Sequence, residues 1–117
     1  MKIKQIKEIL NADIVTDFSN EDTDIKYGFA SDLMSDALAL VKSDSLLITG
    51  LNNSQVIRTA EMLDMSTILF VRGKKPCQDV IDLALENRVT ILATKYTMFK
   101  ACGILANNGM EGIEADD

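Results

Sequence analysis

The sequence has no histidine and no tryptophan, and only one proline and two cysteines in 117 residues. Without histidine, Ser-His-Asp and Cys-His nucleophilic mechanisms are excluded, and no imidazole can ligate a metal. Cys77 and Cys102 lie 25 positions apart, and two thiols alone make neither a disulfide framework nor a zinc site. Positive charge is also scarce: 12 Lys and Arg stand against 18 Asp and Glu, a net charge of -6. A chain so acidic does not attract a phosphate backbone, which argues against general nucleic-acid binding. No apolar run approaches the roughly 18 residues of a membrane span. The opening "MKIKQIKEIL" lacks the apolar core of a signal peptide. The expected location is therefore the cytoplasm, with no membrane contact.

A nucleotide-hydrolysing phosphate loop is missing as well. The stretch "RGKK" at Arg72–Lys75 has Ile68 where the first glycine belongs and Lys75 where Ser or Thr belongs. What remains is the composition of one ordinary globular domain, 47% hydrophobic and 26% charged.

From Ser45 onward the chain repeats a unit of 21 to 23 residues: "SLLITGLNNSQVIRTAEMLDM", "STILFVRGKKPCQDVIDLALENR" and "VTILATKYTMFKACGILANNG". Each opens on an apolar run, passes a polar turn and continues with helix-period apolar residues. The runs Leu46–Thr49, Ile68–Val71 and Thr90–Ala93 do not alternate, which predicts strands buried on both faces of a parallel sheet. Helical stripes follow: Val56, Ile57, Ala60 and Leu63; Val80, Ile81, Ala84 and Leu85; Phe99, Cys102, Gly103 and Ala106. Asn52 with Gln55 has capping-box spacing, Pro76 suits a first helical turn, and Asn108-Gly109 is a stop signal. Upstream, Ile3, Ile6, Ile9 and Leu10 predict a short helix, and "DIVTDF" and "IKYGFAS" predict short strands around the polar loop "SNEDTD". The expected fold is α/β: a small, mostly parallel sheet of successive strand-helix units flanked by helices.

The stretch "DIKYGFASDLMSDALALVKSDSLLITG" resembles the core of the DRTGG domain family, in which an Asp, a glycine turn and a Ser-Asp-Leu-x-Ser-Asp segment precede an apolar strand ending in Thr-Gly. "NNSQVIRTAEMLDMSTILFVRGKKP" and "VTILATKYTMFKACGIL" are similar to the rest of that family. The name-giving letters are only partly kept: Asp24 and Gly28 are present, while the Arg and the Thr-Gly-Gly are not. The resemblance implies a fold like the N-terminal domain of HPr kinase/phosphorylase without the kinase half. It also implies a regulatory module without catalysis of its own, of the kind found beside CBS domains in regulated pyrophosphatases. The expected organisation is one domain over residues 1–109, followed by an acidic, frayed tail over 110–117.

Ligands of open α/β sheets sit beyond the carboxyl ends of the strands. Those ends carry Thr49, Gly50, Asn52, Asn53, Arg72, Gly73, Lys74, Thr94 and Lys95. Glycines admit a close approach, helix N-termini offer N–H groups, and the cations balance an anion such as a phosphate. Ordinary turn and cap roles explain the same residues without a ligand.

The Ser-Asp pairs Ser31-Asp32 and Ser35-Asp36 are one helical turn apart. With Ser31 as N-cap, Asp32 complements the helix dipole and Asp36 lies on the same face. Leu33, Met34, Ala37 and Leu38 add an apolar stripe suited to a subunit contact. The two carboxylates offer a weaker basis for a hard cation. Cys77 near Lys74 and Lys75 is placed to have a lowered thiol pKa, and Cys102 reads as core.

The expected function is a non-catalytic regulatory module, without cofactor or metal, acting as a homodimer. It binds a small anionic metabolite at the strand ends, with an adenine nucleotide or another phosphorylated small molecule as candidate. An adaptor that binds a regulatory protein partner is the alternative. A metal-assisted enzyme using Asp32 and Asp36 is the third reading.

Overall fold

The apolar runs become the centre of a six-stranded sheet. In the computed structural model, which describes residues 1–73 and 75–114, the elements follow in chain order. They are α1 (Ile3–Ile9), β1 (Asp13–Thr16), β2 (Tyr27–Ala30), α2 (Met34–Leu40), β3 (Ser45–Thr49), α3 (Ser54–Met62), β4 (Thr67–Phe70), α4 (Gln78–Asn87), β5 (Thr90–Ala93), α5 (Met98–Asn107) and β6 (Glu111–Gly112). The sheet order is β1-β5-β4-β3-β2-β6. All neighbours are parallel except β1, which runs antiparallel to β5. The α/β class expected from the repeated units is what the chain forms.

Because side chains alternate across a strand, each central run feeds two cores. Leu46, Ile48, Leu69, Val71 and Leu92 pack on one face with Ile3, Ile6, Ala101 and Leu105 of α1 and α5. Leu47, Ile68, Phe70 and Ile91 pack on the other with Met34, Ala37, Val56, Ala60, Val80 and Ala84 of α2, α3 and α4. Every residue of β3 and β4 is buried, so the lack of alternation in their sequences follows from cover on both sides.

The outer strands need specific fastenings. β1 carries a bulge between Ile14 and Thr16. There the buried Thr16 hydroxyl donates to the Val89 carbonyl at 2.7 Å and accepts from the Ile91 amide at 2.9 Å. At the opposite edge, β6 pairs with Tyr27 and Gly28 of β2, and Met110 is buried. Within the stretch 110–117 expected as a frayed tail, Glu111 and Gly112 thus form a strand, and residues 115–117 lie outside the described residues. No described helix is long and apolar enough to cross a membrane.

Three local expectations shift. The N-cap of α3 is Asn53, whose side chain accepts from the Gln55 amide at 3.0 Å, and not Asn52. Helix α4 starts at Gln78 behind Cys77, so the buried Pro76 precedes the cap instead of occupying the first turn. The buried face of α5 is Ala101 and Leu105, not the stripe through Phe99, Gly103 and Ala106, all of which are exposed. Leu85 likewise faces solvent at the edge of its expected stripe. The stop at Asn108-Gly109 stands, with Asn108 as C-cap and Gly109 in the left-handed region at φ 102°.

Candidate functional site

The carboxyl ends of β2, β3, β4 and β5 share one rim, as four parallel strands require. At β2 the chain continues beyond Ala30, and the Ser31 amide donates to the Ile48 carbonyl at 3.0 Å. The Ser31 hydroxyl accepts from the Leu33 amide at 2.9 Å, a tight local turn. Ser31 is therefore not the N-cap of α2; Leu33 holds that position without a side-chain bond, and the helix starts at Met34. The turn leaves Asp32 free to reach β3. Its Oδ1 accepts from the Thr49 hydroxyl at 3.0 Å and from the Gly50 amide at 2.7 Å. Ser35 and Asp36 stay exposed on α2, beside exposed Leu33 and Leu38.

Gly50 sits beneath Arg72. A Cβ on Gly50 would lie 2.8 Å from one terminal nitrogen of the Arg72 guanidinium, so the glycine makes room for the cation. Arg72 and Gly73 are both left-handed, at φ 66° and 69°. For an arginine this conformation costs about 1–2 kcal/mol relative to ordinary backbone. Their amides turn across to the next strand end: Arg72 N–H donates to the Tyr96 carbonyl at 2.8 Å, and Gly73 N–H to the Thr94 carbonyl at 3.0 Å. The guanidinium has no carboxylate within ion-pair distance among the described residues.

The remaining strand-end residues divide into builders and free groups. Thr49 is buried and spends its hydroxyl on Asp32 and on the Leu51 amide. Asn52 clamps the segment before α4: its Nδ2 donates to the Lys75 carbonyl at 2.8 Å, and its Oδ1 accepts from the Cys77 amide at 3.0 Å. Asn53 caps α3. Thr94 is buried and donates to the Leu10 carbonyl at 2.8 Å. Lys74 lies outside the described residues. Lys75 and Lys95 are exposed and line one cleft of about 210 Å³ with Asn11, Asp13, Gly73, Ala93 and Thr94.

The geometry therefore brings Gly73, Thr94 and Lys95 together, and sets Thr49, Gly50 and Arg72 beside them through the Arg72-Gly73 turn. Asn52 and Asn53 act through the backbone they hold. Sequence reasoning missed Lys75, Asn11 and Asp13. Lys75 stood in the quoted "RGKK", whereas Asn11 comes from the turn before β1 and Asp13 from the start of β1, which only the fold places here.

Among the described residues no three metal-ligating side chains converge. The Cys102 thiol, half-buried on α5, has its pKa pushed up by burial.

A mostly parallel six-stranded sheet covered by helices on both faces defines a small α/β domain. More particularly, the chain belongs to the DRTGG domain family, whose family model matches residues 5–107. Its fold is similar to a crystal structure of the CBS and DRTGG domains of the regulatory region of Clostridium perfringens pyrophosphatase, complexed with the activator diadenosine tetraphosphate. The TM-score is 0.69 at 16% identity, over 89% of this chain and 45% of that one. This chain thus spans less than half of that structure's length. No curated protein matches the chain in sequence.

Proposed function

We propose that this protein is a non-catalytic regulatory module that binds a small phosphorylated metabolite at the rim formed by β4, β5 and the loop before β1, and that it acts as a homodimer. The single observation that carries the reading is the cleft at Lys75 and Lys95, beside an Arg72 held in a costly backbone conformation with no described acidic partner. The two lysines lining the cleft suit a phosphate, and Asp13, which lines it too, suits a ribose hydroxyl or an amino group. The nucleotide activator bound to the pyrophosphatase regulatory region makes adenine nucleotides the first candidates.

Thermal-shift and calorimetric titration with AMP, ADP, ATP, diadenosine tetraphosphate and inorganic phosphate test this directly. A ligand at a hundred times its Kd raises stability by about 2.7 kcal/mol, which a melting curve resolves. Stabilisation that disappears in a Lys75→Ala/Lys95→Ala variant supports the reading, and the absence of any shift at millimolar ligand overturns it.

An adaptor role is the second reading, favoured by exposed Leu33, Leu38 and Phe99. The metal-assisted enzyme is the weakest: Asp32 is turned to Thr49 and Gly50 while Asp36 stays on the helix.

A further inference from the structure

The homodimer in this reading does not say which face pairs, and the Ser-Asp segment on α2 is only the sequence's suggestion. A different face carries the stronger physical case. Phe99 on α5 is 91% exposed, the highest exposure of any large apolar side chain described. Seven residues on, and so on the same face, Ala106 is exposed, with Gly103 exposed between them. Beside Ala106 lies an apolar groove of about 150 Å³ between α5 and the sheet edge, lined by Gly28, Ala30, Ile48, Cys102, Ala106 and Met110 among others. A cavity of roughly 150 Å³ is enough to hold a benzene ring. One face therefore presents both an unburied phenyl group and a hole of its size.

We infer that the occupant of this groove is Phe99 of a second copy of the chain, with the two α5 helices packed antiparallel across a two-fold axis near Gly103. At Gly103 an added Cβ would meet nothing within 4 Å, so the helices can approach closely there. Antiparallel packing about Gly103 sets Phe99 of one copy level with Asn107 of the partner subunit, next to the groove at Ala106. The contact is self-complementary, as a two-fold interface must be.

Charge favours the same arrangement. The exposed Lys95 and Lys100 lie at the N-terminal end of α5, and the exposed Glu111 and Glu114 follow its C-terminal end. An antiparallel pair sets cations against carboxylates at both ends, whereas a parallel pair sets like against like. This inference rests on the homodimer part of the proposed function and not on the ligand.

Sedimentation equilibrium from micromolar to millimolar protein, without ligand, tests it. The wild type is expected to dimerise, and Phe99→Ala to raise the dissociation constant roughly 10- to 100-fold, the loss expected for one buried phenyl. Because the Phe99 ring faces solvent in the single chain, the variant keeps the wild-type circular dichroism. Lys100→Glu is expected to weaken the dimer, and Lys100→Glu/Glu111→Lys to restore it. A wild-type dimer indifferent to Phe99→Ala, or not rescued by the charge exchange, overturns this interface while leaving the homodimer intact. A wild type that stays monomeric overturns both.

Discussion

The carboxylate of Asp32 accepts the backbone N–H of Gly50 at 2.7 Å, across 18 residues of chain. One side chain thereby ties the entry to α2 to the turn that follows β3, and it takes the Thr49 hydroxyl as a second donor. The Ser-Asp segment is a clasp between neighbouring strand ends.

That role sets the first expectation. Asp32→Ala removes the acceptor of two hydrogen bonds, one of them from a buried threonine, and is expected to lower unfolding free energy by about 1–3 kcal/mol. Asp32→Asn keeps an acceptor oxygen and loses less. Urea unfolding of the three proteins measures the order, and an Ala variant as stable as the wild type contradicts the clasp.

Gly50 and Arg72 separate stability from binding. Gly50→Ala drives a methyl group into the guanidinium, and the flexible arginine yields more readily than the fold. The expected result is a stability change below about 1 kcal/mol with weaker binding of phosphorylated ligands. Arg72→Gly removes the left-handed penalty of about 1–2 kcal/mol, less the extra chain entropy of glycine at about 0.5–1 kcal/mol. It is expected to stabilise slightly while also weakening binding. Parallel melting and titration experiments read both effects.

The two thiols should differ in reactivity. Cys77 is exposed at the start of α4, and Cys102 is half-buried with its pKa raised by burial above 9.0. Maleimide is expected to label Cys77 quickly at neutral pH and Cys102 slowly, with Cys102 labelling accelerating only at more alkaline pH. The raised pKa also fixes a sign. Burial of this thiol favours the fold fully below the unfolded pKa, and that contribution is lost as pH rises from there through the folded pKa. Mass spectrometry of single-cysteine variants checks the order of labelling.

Asp24 titrates in the opposite sense. A hydrogen bond from the Met1 ammonium group, and then its charge, hold the Asp24 carboxyl below its ordinary 3.8. Its contribution is present above pH 3.8 and is lost as pH falls through the lower folded pKa. Asp24→Asn is expected to flatten the acid side of the Tm-versus-pH curve and leave the neutral region nearly unchanged, because the carboxylate is exposed.

The parallel α/β core was legible because β3, β4 and β5 are covered on both faces, which writes unbroken apolar runs into the sequence. Helix α5 was misread for a related reason. "MFKACGILAN" is apolar around most of its circumference, so two stripes compete, and only the sheet selects Ala101 and Leu105 over Phe99 and Ala106. β6 has two residues and no periodicity to detect; its pairing with Tyr27 and Gly28 is wholly tertiary. That the ends of β2 to β5 share one rim was legible from topology, since parallel strands must end together. The division of labour within it was not legible, because the partners of Asp32, Asn52 and Thr94 lie 17 to 84 residues away.

The fastening of β1 by Thr16 bears on how the molecule is assembled. Thr16 is bonded to residues 73 and 75 positions later, whereas each strand-helix unit from β3 onward closes over about two dozen. Long loops close more slowly than short ones. The strand-helix units are therefore free to condense first, with β1 docking as a late clamp. During synthesis β1 leaves the ribosome well before its partner β5. Until Ile91 has emerged, its strand edge stays open, and that interval is when the growing chain is most exposed to mispairing.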